Sequence, residues 1–179
     1  DAYGTGTQAR QILIARRLVE RGVRYIQLWQ GAGQPWDNHD NLEQGHRKLA
    51  EQVDQPIAAL LTDLKQRGLL DETLVIWGGE FGRTNYGQGT STKDNYGRDH
   101  HPRAYCTFMA GGGVKPGTVY GQTDDFGYNI VRDPVHINDF HATVMHLMGI
   151  NHEKLTYKHL GRRYRLTDLA GKVLPGLIA

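Results

Sequence analysis

The 179-residue sequence has a single cysteine, Cys106, so no disulfide can form within the chain and a disulfide scaffold is excluded. It has no run of about 18 apolar residues, which excludes a membrane-spanning helix. No leader with a basic start and an apolar stretch is visible in these 179 residues. Neither sign of charge dominates: 21 basic and 19 acidic residues give a formal net charge of +2, which makes no case for nucleic-acid binding. There is no internal repeat, heptad pattern or low-complexity tract. What is present is ordinary globular composition, with 39% hydrophobic and 22% charged residues, so disorder over the whole chain is not expected. Nine histidines raise the question of a metal.

Periodicity divides the chain into alternating elements. Ile12, Leu13, Ala15, Leu18 and Val19 make one apolar face of a helix over 8–21, closed by Gly22. Val23 to Trp29 alternates and is rich in β-formers, which predicts a strand. Leu49, Val53, Ile57, Leu60, Leu61 and Leu64 predict a long helix over 41–67, bent or split at Pro56 and capped by Gly68. The apolar run Thr73–Trp77 predicts a strand buried on both faces. Gly78 to Arg103 is long, polar and glycine-rich, the kind of segment that is functional or mobile. Further strands are expected over 104–110, with Cys106 as buried packing, and at 117–121. A helix is expected over 135–148, opened by Asn138 or Asp139. The tail, 150–179, carries the basic run Arg162-Arg163-Tyr164-Arg165, expected to be a solvated patch with an anion contact as the alternative.

This order predicts an α/β fold with a largely parallel sheet flanked by helices. Ligands in such sheets bind beyond the carboxyl ends of the strands, which would place the loops 31–39 and 78–103 on one edge. Three groups of residues on those loops could carry chemistry. In Trp36-Asp37-Asn38-His39-Asp40, Asp37 and His39 offer an oxygen and a nitrogen ligand to one ion, although Asp37, Asn38 or Asp40 could instead cap the helix that follows. In Gly79-Glu80-Phe81-Gly82-Arg83, Glu80 is placed for a metal or base role and Arg83 for an anion, or the two form a surface pair. In Asp99-His100-His101-Pro102, adjacent histidines point different ways, so one of His100 and His101 would face the site, unless both are exposed on the loop.

In this order the segments resemble the alkaline phosphatase superfamily, which includes sulfatases and nucleotide phosphodiesterases. The stretches that carry the resemblance are Trp36-Asp37-Asn38-His39 and Leu64-Lys65-Gln66-Arg67-Gly68-Leu69-Leu70-Asp71-Glu72-Thr73-Leu74-Val75-Ile76-Trp77-Gly78-Gly79-Glu80-Phe81-Gly82. A closer resemblance, to about Ile150, is to the sulfatase-like DUF1501 family, through Ala15-Arg16-Arg17-Leu18-Val19-Glu20-Arg21-Gly22-Val23-Arg24, Gly79-Glu80-Phe81-Gly82-Arg83-Thr84 and Asp99-His100-His101-Pro102. The resemblance implies an alkaline phosphatase/sulfatase-like domain of which residues 1–179 are the C-terminal part, the N-terminal half with the nucleophile being absent. It implies a hydrolase of sulfate or phosphate esters, acting on a small anionic ester or a sulfated or phosphorylated glycan. It further implies divalent metal (Zn, Ca, Mn or Mg) held by Asp37, His39, Glu80, His100 and His101, with Arg83 at the anion, and an exported location. The sequence departs from the pattern at Phe81, which stands where the superfamily has a metal-ligating histidine. A non-catalytic binding module is therefore the alternative.

Overall fold

The computed structural model describes residues 2–87 and 91–179; residues 88–90, inside the long polar segment, and Asp1 lie outside it. The helices are α1 (Thr7–Glu20), α2 (Leu42–Gln66) and α3 (Ile137–Leu147). The strands are β1 (Val75–Gly78), β2 (Gly82–Arg83), β3 (His100–His101), β4 (Thr107–Ala110), β5 (Gln122–Thr123), β6 (Ile130–Arg132), β7 (Thr156–His159) and β8 (Arg162–Arg165). Among the described residues, no helix is long and apolar enough to cross a membrane.

The expected parallel sheet, and with it the alkaline phosphatase/sulfatase-like layering, is not what forms. The strands pair two by two, as β1–β4, β2–β3, β5–β6 and β7–β8, and every pair is antiparallel. Parallel pairing needs a crossover, usually a helix, between partners. Here the described residues between β1 and β4 contain no helix, and the two strands pair antiparallel. The segment 23–29 alternates as a strand should but joins no ladder, and Tyr25 and Trp29 stand exposed. Strand β1 is not buried on both faces either: Ile76 and Trp77 are 40% and 45% exposed. Cys106, expected in the interior, is exposed. No strand forms at 117–121; the nearest ladder is β5–β6.

The helices follow the sequence more closely. Helix α2 runs unbroken through Pro56, whose ring is buried, and is not split there. Helix α3 is capped two residues before Asn138, by His136, whose Nδ1 accepts a hydrogen bond from the Asn138 amide at 3.2 Å. Helices α1 and α2 pack through Tyr3, Ala9 and Ile12 against Leu13, Ile57 and Leu60.

A charged knot closes the far end of this helix pair. Asp63 of α2 accepts from the Tyr3 hydroxyl at Oδ2, 2.9 Å, and from Arg67 Nε at Oδ1, 2.6 Å, and Arg16 Nε of α1 lies 2.8 Å from the same Oδ2 that Tyr3 meets. Burial works against the Asp63 charge, but the hydrogen bonds from Arg67 and Tyr3 and the neighbouring guanidinium charges hold its pKa below the ordinary carboxylate value. Burial, then the Asp63 bond, pushes the Tyr3 hydroxyl up to about 12. The Arg16 side chain is only 8% exposed and also pairs with Glu20 on its own helix, so removing Asp63 leaves this buried guanidinium with one acid in place of two and takes away the acceptor of Tyr3 and Arg67. Asp63→Ala is expected to cost about 3 kcal/mol, read as a lower urea midpoint. A loss below about 0.5 kcal/mol would mean that the knot behaves as an ordinary surface pair.

Candidate metal centre

Two loops and one short hairpin build the site. The loop before α2 carries Asp37 and His39. It is pinned by Trp36, whose Nε1 donates to Gln30 Oε1 at 2.8 Å while its ring meets His46 and Trp77 edge-on at 5.1 and 6.1 Å. Opposite lies the β2–β3 hairpin, in which Arg83 pairs with His100 and Gly82 with His101. Residues directly opposite in an antiparallel pair share a face, and successive residues alternate faces. Arg83 and His100 therefore point together toward Asp37, and His101 points away.

The distances follow that parity. His100 Nε2 lies 2.9 Å and His39 Nε2 3.1 Å from the same oxygen, Asp37 Oδ1, and Arg83 Nη1 donates to it as well. His39 Nδ1 is 3.1 Å from Asp99 Oδ1. The Phe81 ring sits 4.6 Å from that of His100, and Arg83 Cζ lies 5.5 Å from the Phe81 centroid. The hydrogen bonds from Arg83 and then His100 hold the Asp37 carboxyl down at about 2. His39 and His100 keep 39% and 49% of their side chains exposed, so the cluster opens to solvent.

The donor atoms of Asp37, His39 and His100 all lie within 4.8 Å of one another, and these three residues could hold a metal ion. The donor chemistry fits: one carboxylate oxygen and two imidazole nitrogens, with the other nitrogen of His39 already engaged by a carboxylate in the manner of metal-bound histidines. Asp99, which makes that contact, was not among the expected ligands. Its adjacency to His100 in Arg98-Asp99-His100 was the available signal. Of the other expected ligands, Glu80 is exposed and outside the cluster. His101 is 4% exposed, stacks on Tyr128 at 4.2 Å, and places Nε2 2.6 Å from the Tyr128 carbonyl. Arg83 is in the cluster through Asp37. Elsewhere, His152 is buried against Thr167 Oγ1 at 2.9 Å, and His46 packs on Trp36.

Two glycines allow the loops to meet. A Cβ on Gly82 would collide with the Ala104 carbonyl and come within 3.0 Å of the His101 oxygen. A Cβ on Gly97 would fall on the His39 carbonyl group itself. Around that contact the Arg98 amide donates to the Asn38 carbonyl at 3.1 Å and the Leu42 amide to the Tyr96 carbonyl at 3.0 Å.

Comparison with curated proteins and with solved structures gives no match. One family model, described as "Protein of unknown function (DUF1501)", matches residues 1–178. The match spans nearly the whole chain, and the protein belongs to the DUF1501 family.

Proposed function

We propose that the Asp37, His39 and His100 cluster is the divalent-ion site of a hydrolase acting on sulfate or phosphate esters. The observation that carries this reading is the convergence of three ligand atoms within 4.8 Å beside an arginine on the same hairpin face. Mixed nitrogen and oxygen donors suit zinc or manganese better than calcium or magnesium, which prefer all-oxygen shells. When bound, such an ion supplies Lewis acidity toward an ester oxygen and makes water a stronger nucleophile near neutral pH. Asp99 sets the His39 ring and leaves its Nε2 directed at Asp37. Phe81 packs against the His100 ring. Arg83, a planar fork of donors, is suited to the equatorial oxygens of a sulfuryl or phosphoryl group. The openness of both histidines suits an ester carried on a larger body, such as a glycan. The motif resemblance to the alkaline phosphatase superfamily supports the chemistry, and nothing in the reading depends on a shared fold.

A second reading has its own observation. Asp37 Oδ1 is already met by Arg83, His39 and His100, an ion-pair cluster that is complete without metal and suits a non-catalytic anion-binding module. Hydrolysis of 4-nitrophenyl sulfate and phosphate, measured with Zn, Mn, Ca and Mg, separates the two. The hydrolase reading expects metal-dependent turnover that falls at least about 100-fold in His100→Ala, beyond the loss typical of outer-shell changes. Absence of turnover with every metal, together with sulfated-glycan binding that survives His100→Ala and fails in Arg83→Ala, would establish the binding module instead.

A further inference from the structure

The β7–β8 hairpin lies apart from the candidate metal centre and is built unlike the rest of the surface. Its ten residues, 156–165, contain Lys158, Arg162, Arg163 and Arg165 and no acid, whereas the whole chain nets only +2, so the remainder of the protein is net negative. Cross-strand pairing puts Tyr157, Tyr164, His159 and Arg162 on one face and Lys158, Arg163, Thr156 and Arg165 on the other. Cationic groups therefore surround the turn on both sides. Arg165 is tied down at the base, through Nε to the Asp168 carbonyl at 2.6 Å and a 3.9 Å approach to Glu153, and Arg163 Nη1 makes a long 3.4 Å bond to Thr156 Oγ1.

The turn is Leu160-Gly161, both with positive φ, 48° and 81°. A two-residue hairpin of this kind favours Asn or Asp before the glycine, because those side chains tolerate left-handed backbone and leucine does not. Leu160 nevertheless occupies the position and is 91% exposed. It contributes neither turn stability nor packing, so its apolar surface is available to something outside the chain.

We propose that this hairpin docks the protein on an anionic phospholipid bilayer, with Leu160 entering the headgroup–acyl boundary and Lys158, Arg162 and Arg163 meeting lipid phosphates. Apolar insertion combined with attraction to anionic lipid is the chemistry of peripheral membrane binding. Tyr157, 53% exposed, sits one step behind the basic residues, where an amphipathic ring matches the interface. A nucleic-acid partner fits less well. Tyr157 and Tyr164 stack on each other at 5.6 Å and Arg162 covers Tyr164 at 4.9 Å, so these ring faces are already in use, and a leucine tip has no role against phosphodiesters. A sulfated glycan likewise explains the charges but not Leu160.

The test is co-sedimentation of the chain with vesicles of phosphatidylcholine alone and of phosphatidylcholine mixed with phosphatidylglycerol. Binding is expected only to the mixed vesicles. Arg162→Gln combined with Arg163→Gln should weaken it about 30-fold. Leu160→Asn, which suits the turn and therefore should not unfold the hairpin, should weaken it about tenfold. Failure to bind the mixed vesicles would overturn the proposal. So would binding that Leu160→Asn leaves unchanged, or preferential binding to heparin or an oligonucleotide at the same salt, since each would reduce the hairpin to a cationic patch.

Discussion

Gly97→Ala is expected to destabilise the protein by about 3 kcal/mol or more and to abolish metal binding at Asp37, His39 and His100. Gly97 is buried where the chain around 95–98 crosses the loop around 38–42. The atoms that an added methyl would meet are the His39 carbonyl carbon and oxygen and, at 2.5 Å, the Asp40 nitrogen. All are backbone, so no side chain can swing aside. The loops must separate, and separation breaks the hydrogen bonds from the Arg98 amide to the Asn38 carbonyl, from the Leu42 amide to the Tyr96 carbonyl, and from the Asn41 amide to Asn95 Oδ1 at 2.8 Å. His39 then leaves its place beside Asp37. Urea denaturation and zinc titration of the same sample check both parts. Gly6→Ser is the control: a Cβ there meets nothing within 4 Å, and a serine can cap α1. A Gly97→Ala protein with wild-type stability would show that the loops are not in the contact described.

Asp99→Asn is expected to lower zinc affinity 10- to 100-fold while leaving the urea midpoint nearly unchanged. The substitution keeps size and shape. It also keeps the backbone bonds that hold residue 99, from its amide to Thr84 Oγ1 at 2.9 Å and from the Thr84 amide to its carbonyl at 2.9 Å. What it removes is the charge 3.1 Å from His39 Nδ1. Without that charge the tautomer that presents Nε2 toward Asp37 is no longer favoured, and the ring is no longer held in place. Competition with a chromophoric chelator measures the change. Equal affinity in Asp99→Asn and the parent would show that Asp99 does not orient His39.

The helices were the most legible part of this sequence, because their signals are local. The apolar spacing of Ile12, Ala15, Val53 and Leu64 and the stops at Gly22 and Gly68 locate α1 and α2 to within about a turn. Sheets depend on partners distant in sequence, and alternation alone does not supply one. The segment 23–29 has the pattern of a strand and no ladder, and β1 pairs with β4 in the orientation that a helix-free connection allows. Cys106 is exposed for a related reason: it lies just before β4, whose two-stranded ladder leaves Phe108 exposed as well.

In the candidate site, the alternation of His100 and His101 was readable from their adjacency, and the structure puts His100 toward Asp37 and His101 against Tyr128. Glu80, one strand end away, does not reach the cluster. Gly97 could not have been singled out, since a steric need for glycine is set by what the folded chain brings against it. Phe81, seen in the sequence only as the loss of a ligand, packs on the ring of a ligand candidate. The basic tail was seen as charge, but the exposed Leu160 in left-handed backbone gives it a second property.

The most direct test of the metal centre is isothermal titration of the chelator-treated chain with zinc and with manganese, alongside His39→Ala. The account predicts one ion per chain for at least one of the two metals, and no saturable binding in the variant. Absence of binding in the parent, or stoichiometric binding that His39→Ala leaves intact, would contradict it.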